Sequence, residues 1–73
     1  MLNKYLEKAL KNYVDNAPHI RYGQALYNVL YDEYPDLAFE VNGMELDPFF
    51  ISDASDIRVI KYLEWLKNKL ENS

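Results

Sequence analysis

The chain has 73 residues, of which 49% are hydrophobic and 15% aromatic, and its formal net charge is −4. This length allows one small domain, and the apolar content is enough for one core, which excludes a disordered chain. The absence of cysteine excludes disulfides and thiolate metal sites, so we predict a single domain in a reducing cytoplasm.

The first two predicted elements are amphipathic helices with apolar residues at steps of three and four. The first ends at Asn16 and Pro18, because proline interrupts the helical hydrogen bonds. Its apolar stripe consists of Leu2, Tyr5, Leu6, Ala9, Leu10, Tyr13 and Val14. The second helix runs from about 22 to 34 and ends at Pro35. Its core face is Tyr22, Ala25, Leu26, Val29 and Leu30, beside an aromatic stripe of Tyr27, Tyr31 and Tyr34.

The segment 37–46 supports two structures. Leu37, Phe39 and Val41 alternate with other residues before Asn42-Gly43, and this pattern predicts a β-hairpin. The alternative is a short helix that begins at Pro35 and ends with Gly43 as a left-handed cap. We predict the hairpin, and the helix stays open.

The last predicted element is a helix that follows Asp47-Pro48 and continues to about Asn72. Ser55 is the predicted N-cap. The apolar stripe is Ile57, Ile60, Leu63, Leu66 and Leu70, broadened by Val59, Tyr62 and Trp65. The predicted fold is therefore mainly α, a single domain of residues 1–73 with three helices and a short central insert.

Charge is divided unevenly along the chain. Residues 22–57 contain no lysine or arginine; we call them the acidic segment. Their eight carboxylates are Asp32, Glu33, Asp36, Glu40, Glu45, Asp47, Asp53 and Asp56. A surface of one sign favours partners of the opposite sign, and tyrosine is enriched at protein interfaces. A basic protein surface is therefore the predicted partner, whereas nucleic acid would be repelled. The alternative is that these carboxylates only keep the protein soluble.

The residue types of catalytic and cofactor sites are sparse. His19 is the only histidine and lies in a predicted loop, which excludes a serine-based triad. Glu45 and Asp47 are paired carboxylates of the kind that performs acid–base catalysis, but nothing in the sequence marks a substrate pocket. Calcium is the best metal candidate for the acidic residues, yet the EF-hand spacing does not occur. Gly23 and Gly43 are the only glycines, so there is no phosphate-binding glycine loop. We predict a protein that is not an enzyme and has no cofactor or metal.

One short motif has a functional association. Gln24, Tyr27, Leu30 and Tyr31 follow the pattern Gln-x-x-hydrophobic-x-x-hydrophobic-aromatic, with which peptides bind replication sliding clamps. The pattern is degenerate, and here it lies inside a predicted helix whose apolar residues are needed by the core.

The segment Arg21-Tyr22-Gly23-Gln24-Ala25-Leu26-Tyr27-Asn28-Val29-Leu30, followed by Asp47-Pro48-Phe49, resembles small proteins of phages and their bacterial hosts. These share an Arg-x-Gly-Gln-x-x-x-Asn-x-Leu segment and a downstream Asp-Pro-Phe. In size, acidity and helical content the chain is also similar to early host-takeover proteins of phages of Gram-positive bacteria. One type binds the host polymerase sliding clamp, so this resemblance implies a DNA-handling target in the host cytoplasm.

Together these features predict a phage-encoded inhibitor that binds a basic host protein, with the sliding clamp as the favoured target. No membrane association is predicted, because no stretch approaches the apolar length of a membrane helix. The predicted partner-binding residues are Tyr27, Tyr31, Asp32, Glu33, Asp36, Glu40, Glu45, Asp47 and Phe49. The alternative is a structural or assembly protein that self-associates through its aromatic stripe, and a homodimer is open in either case.

Overall fold

The computed structural model describes residues 2–72, which form four α-helices and no strand. They are α1 (Leu2–Asn16), α2 (Tyr22–Glu33), α3 (Pro35–Val41) and α4 (Ile57–Glu71). The predicted mainly helical class is confirmed, but the number of helices is four rather than three.

Helices α1 and α2 pack side by side in opposite directions. Lys8 near the middle of α1 pairs with Glu33 at the end of α2, and the Tyr13 ring lies edge-on to Tyr22, with centroids 5.6 Å apart. The chain reverses between them through a turn with a cis bond before Pro18. The predicted ends of both helices agree with the structure to within one residue.

The predicted β-hairpin at Asn42-Gly43 is wrong, and α3 occupies the first part of that segment. Pro35 begins the helix at a position where its missing N–H costs nothing. Ala38 and Val41 are both buried, and residues three apart share a face of a helix but lie on opposite faces of a strand. Gly43 follows the helix with a φ of 81°, a left-handed conformation that glycine adopts without a steric penalty. The strand-like alternation fails because Phe39 points to solvent.

The N-cap of α4 lies one residue later than predicted, and only part of the predicted apolar stripe is buried, including Leu66 and Leu70. The side chain of Asp56, not Ser55, accepts a hydrogen bond from the backbone N–H of Arg58. Val59 and Tyr62 are buried, whereas Ile57 and Ile60 of the predicted stripe are 66% and 58% exposed. The buried side of the helix is the one from which the Tyr62 hydroxyl contacts that of Tyr5 in α1.

The core lies where α1, α2, α3 and α4 meet, and its centre contains two tyrosines. Tyr5 donates a hydrogen bond of 2.6 Å to the carbonyl of Leu26, and its oxygen lies 2.8 Å from that of Tyr62. Burial raises the pKa of both phenols. The other buried apolar residues are Ala9, Ala25, Leu26, Val29, Leu30, Ala38, Val41, Ile51, Val59, Leu66 and Leu70. Within residues 2–72, no helix is long and apolar enough to cross a membrane.

Candidate interaction surface

Gly23 is the point at which the loop between α3 and α4 contacts α2. We call residues 42–56 the docking loop. The N–H of Gly23 donates a hydrogen bond of 2.8 Å to the carbonyl of Ile51. A β-carbon at position 23 would lie 1.8 Å from the carbonyl oxygen of Pro48, which is itself buried. Only glycine permits this approach, so position 23 determines how closely the docking loop packs on α2.

An aromatic cluster extends from α2 onto the docking loop. The ring of Tyr27 lies edge-on to Phe49 with centroids 5.8 Å apart, and Phe49 lies edge-on to Phe50 at 5.1 Å. The Arg21 guanidinium lies 5.5 Å and 5.6 Å from the centroids of Phe49 and Phe50. Such edge and cation–π contacts stabilise the loop on the helix.

Asp47 fixes the turn that brings Phe49 to α2. One carboxylate oxygen accepts the N–H of Gly43 at 2.9 Å and the other accepts the N–H of Phe49 at 3.0 Å. An aspartate that accepts the N–H two residues later is a common turn motif. The predicted partner-binding residue Asp47 therefore has a structural role, and it is only half-buried.

Three aromatic side chains of α2, α3 and the docking loop are exposed to solvent. Tyr31, Phe39 and Phe50 are 64%, 85% and 72% exposed, and we call them, with the half-buried Tyr27 and Phe49, the aromatic surface. Tyr31 lies one helical turn beyond Tyr27, and the Tyr27 hydroxyl contacts the carbonyl of Ala38 next to Phe39 at 3.5 Å. Exposed aromatic groups of this kind are typical of interaction sites.

The eight carboxylates of the acidic segment differ in whether another residue of the protein already binds them. Glu33 pairs with Lys8, and Glu40 pairs with Lys69 at 2.8 Å. Asp56 pairs with Arg58 at 2.8 Å, and Asp53 accepts the N–H of Ser55. Asp47 serves the turn already described. The remaining three, Asp32, Asp36 and Glu45, are exposed and make no ion pair with another residue of the described range 2–72.

Hydrogen bonds perturb the titration of two of these carboxylates. The Arg58 side chain, together with its backbone N–H, holds the pKa of Asp56 below its ordinary value. The backbone N–H and hydroxyl of Ser55 do the same for the pKa of Asp53. Both groups are therefore ionised at neutral pH. Among residues 2–72, no three histidine, aspartate or glutamate side chains group as metal ligands.

Half of the eight basic side chains are engaged in ion pairs. Lys8, Arg58 and Lys69 pair with carboxylates of the acidic segment, and Lys11 pairs with Asp15 one turn along α1 at 2.9 Å. These pairs raise the pKa of Lys8 and Lys11. Arg21 covers the rings of Phe49 and Phe50. Two of these pairs, Lys8 with Glu33 and Lys69 with Glu40, connect the basic helices α1 and α4 to the acidic segment.

The clamp-binding pattern lies within α2 and is only partly accessible. Gln24 and Tyr27 are half-buried and Tyr31 is exposed, but Leu30 has no exposed surface. A clamp-binding peptide inserts its hydrophobic position into the partner, and Leu30 is already inserted into this protein's own core. The pattern therefore cannot bind as an extended peptide while the fold is intact.

The structure brings part of the predicted site together. Tyr27 and Phe49 are in contact and Tyr31 lies one turn beyond Tyr27 on α2, whereas Glu33 and Glu40 are engaged in ion pairs. Asp32 lines a cleft between α1 and α2 together with Lys8 and Lys11, and Asp36 lies in the first turn of α3. Sequence reasoning did not include Phe39 and Phe50 among the anchors, although they are more exposed than Phe49. Their position inside the acidic segment is the feature of the sequence from which both residues could have been included in the predicted site.

Comparison with known proteins adds no relative, because no protein-family model, curated protein or solved structure matches this chain. The resemblance to phage proteins rests on the motif residues themselves. In the structure these residues contact one another: Arg21 covers Phe49, and Gly23 makes room for Pro48. The motif therefore specifies how the docking loop packs on α2.

Proposed function

We propose that this protein is a phage-encoded inhibitor without catalytic activity, which acts in the host cytoplasm by binding a basic, DNA-handling host protein. The observation that carries the proposal is the coincidence of exposed aromatic side chains with a segment that lacks lysine and arginine. The replication sliding clamp is the favoured target, because the chain resembles phage proteins that bind it. Occupation of the basic DNA-binding wall of a clamp would block its loading or sliding.

The aromatic and acidic residues of this surface would contribute differently to binding, according to their exposure and charge. Tyr31, Phe39 and Phe50 supply the apolar contact area, because each leaves more than half of its side chain in solvent. Asp32, Asp36 and Glu45 supply negative charge outside ion pairs, which attracts a basic partner and speeds association. Asp36 contributes most, because Asp32 lines a cleft with Lys8 and Lys11, and Glu45 lines one with Arg58 and Lys61. Glu33 and Glu40 contribute less, because Lys8 and Lys69 already offset their charges.

Binding to a purified sliding clamp from a Gram-positive bacterium tests the proposal. The triple variant Asp32→Lys, Asp36→Lys, Glu45→Lys should slow association and reduce its dependence on salt. The matched control is Glu7→Lys, Glu64→Lys, Glu71→Lys. It changes the formal net charge by the same amount as the first variant, but on α1 and α4 instead of in the acidic segment. The control should associate faster than the first variant. If neither variant affects a measurable affinity, the acidic segment is not the interface.

A further inference from the structure

Arg21, Phe49 and Phe50 form a closed group in which each side chain contacts the other two. The guanidinium of Arg21 lies 5.5 Å from the ring centroid of Phe49 and 5.6 Å from that of Phe50. The two rings meet edge-on with 5.1 Å between their centroids. The Nε–H of Arg21 also donates a hydrogen bond of 3.4 Å to the carbonyl of Phe49. We call these three residues the Arg–Phe group.

The backbone is held in place on both sides of Phe50. Before it, the N–H of Phe49 donates a hydrogen bond of 3.0 Å to the Asp47 carboxylate. After it, the carbonyl of Ile51 accepts the N–H of Gly23 in α2 at 2.8 Å, and the Ile51 side chain is buried in the core. These contacts determine where the main chain of Phe50 lies relative to α2.

The side chain of Phe50 is not held by burial. It is 72% exposed, so core packing does not restrict the rotation of its ring. The contacts that do restrict it are those with Arg21 and with Phe49. A cation over an aromatic face and an edge-on neighbouring ring both favour one ring position over others. Of these two groups, only Arg21 lies outside the docking loop.

Arg21 is available to the rings because no carboxylate competes for its guanidinium. Within residues 2–72 Arg21 makes no ion pair, whereas Arg58, the only other arginine, pairs with Asp56 at 2.8 Å. Arg21 is also the N-cap residue of α2, and its carbonyl accepts the N–H of Ala25 at 3.1 Å. Its backbone is therefore fixed to the helix while its side chain contacts the docking loop.

We propose that Arg21 is a positioning residue, which holds the exposed ring of Phe50 in one orientation so that a partner meets a preformed anchor. The role of Phe50 as an anchor rests on the proposed function, whereas the positioning itself requires no partner. A side chain that is already ordered loses little conformational freedom on binding, so less of the interaction energy is offset. Arg21 would therefore raise affinity through Phe50.

The charge of Arg21 alone would have the opposite effect on a basic partner. A positive charge at the edge of an interface repels such a partner, so its removal should speed association if long-range electrostatics alone mattered. Weaker binding by a folded Arg21→Gln variant therefore cannot result from the lost charge. It would instead report the lost position of Phe50.

Fluorine NMR of the full chain labelled with 4-fluorophenylalanine tests the positioning. The chain has three phenylalanines, so three signals are expected, and the variants Phe39→Leu, Phe49→Leu and Phe50→Leu assign them. Phe39 is 85% exposed and should give a signal near that of free 4-fluorophenylalanine. The Phe50 signal should be displaced from this position, because its ring lies against Phe49 and the guanidinium.

Substitution of Arg21 should change this spectrum selectively. Arg21→Gln should move the Phe50 signal toward the Phe39 signal and leave the latter in place, and Arg21→Lys, which retains a cation, should move it less. Arg58→Gln is the matched control, because Arg58 pairs with Asp56, and it should leave all three signals unchanged. Circular dichroism verifies that each variant folds. A wild-type Phe50 signal that coincides with that of Phe39, or that is unchanged in Arg21→Gln, would overturn the proposal.

Affinity for a purified sliding clamp separates this inference from the proposed function. If wild type binds, Arg21→Gln should weaken binding by roughly 3- to 10-fold, Arg21→Lys by less, and Arg58→Gln should not weaken it. Equal affinities of wild type and Arg21→Gln would show that Arg21 does not act on binding through Phe50. If wild type does not bind, the proposed function is wrong, and the fluorine spectra alone decide whether Arg21 positions Phe50.

Discussion

The hydroxyl of Tyr62 donates a hydrogen bond to the hydroxyl of Tyr5, with 2.8 Å between the two oxygens. The direction follows from the second contact of Tyr5. The carbonyl of Leu26 can only accept, so the Tyr5 hydrogen is directed to it at 2.6 Å, and only Tyr62 has a hydrogen left for the bond between the phenols. This chain of two bonds links α4 through α1 to α2 inside the core.

This order of donors predicts unequal effects of two similar substitutions. Tyr5→Phe removes both bonds and leaves the buried Tyr62 hydroxyl without a partner, which should cost about 1–3 kcal/mol of unfolding free energy. Tyr62→Phe leaves Tyr5 bonded to Leu26 and should cost only about 0.5–1.5 kcal/mol. The double variant should be no less stable than Tyr5→Phe alone. Urea unfolding measures all three, and equal losses for the single variants would contradict the donor order.

The contact at Gly23 predicts the sign of a stability change. Alanine at an ordinary helical position stabilises a helix by about 1 kcal/mol relative to glycine. At position 23 its β-carbon would lie 1.8 Å from the Pro48 carbonyl, so Gly23→Ala should instead destabilise the protein by about 1–3 kcal/mol. Thermal unfolding measures the change. Gly43→Asn is the control, because no atom lies within 4 Å of its β-carbon and asparagine tolerates a positive φ. A stabilising Gly23→Ala would mean that the docking loop does not contact α2 in solution.

The first turn of α4 predicts a dependence of stability on pH. The pKa of Asp56 is lowered in the folded protein by its hydrogen bonds to the Arg58 side chain and backbone N–H. A carboxylate with a lowered folded-state pKa stabilises the fold above its ordinary pKa, and this stabilisation is lost as the pH falls through the folded-state value.

Asp56→Asn retains an acceptor for the Arg58 N–H but removes the charge. It should therefore lower the melting temperature at about pH 7 and have little effect at about pH 2, where the wild-type carboxyl is protonated. Melting curves across this range, with Asp36→Asn as the control, measure the difference. A constant difference between wild type and Asp56→Asn at all pH values would contradict this assignment.

Two phenylalanines of the aromatic surface should separate binding from stability. Phe39 is 85% exposed, so Phe39→Ala should change stability by no more than about 0.5 kcal/mol. Phe49 packs on Tyr27 and lies beneath Arg21, so Phe49→Ala should cost about 1–3 kcal/mol. If Phe39 is an anchor, its substitution weakens partner binding while the fold is unchanged. Unfolding and affinity measured on the same preparations test both statements.

The fold was predictable where one apolar row dominated a helix. The stripes of α1 and α2 predicted that both helices exist, and Asn16, Pro18 and Pro35 predicted where they end. The α1 stripe was too wide, because Leu10 and Val14 are 55% and 62% exposed. In α4 the apolar residues cover a wide arc, and either Ile57 and Ile60 or Val59 and Tyr62 could have been buried; the second pair is. The choice between them depends on the contact between Tyr62 and Tyr5, which lies far away in the sequence. No local pattern contains that information.

The candidate site was predictable as a segment but not residue by residue. The absence of basic residues from 22–57 is a property of the sequence. The pairing of Glu33 with Lys8 and of Glu40 with Lys69 is a property of the packing. The exposure of Phe39 also follows from packing, because α3 replaces the expected strand and turns that side chain outward.

The central claim is that the aromatic surface and its free carboxylates bind a basic host protein. Affinity capture from a Gram-positive host lysate, read by mass spectrometry, tests it most directly when wild-type protein is compared with Phe39→Ala, Phe50→Ala and with the control Leu10→Gln, Ile60→Gln. We expect wild type and control to capture the same DNA-handling protein, less of it at higher salt, and the Phe39/Phe50 variant to lose it. Equal capture by all three proteins, or no capture by wild type, would contradict the claim.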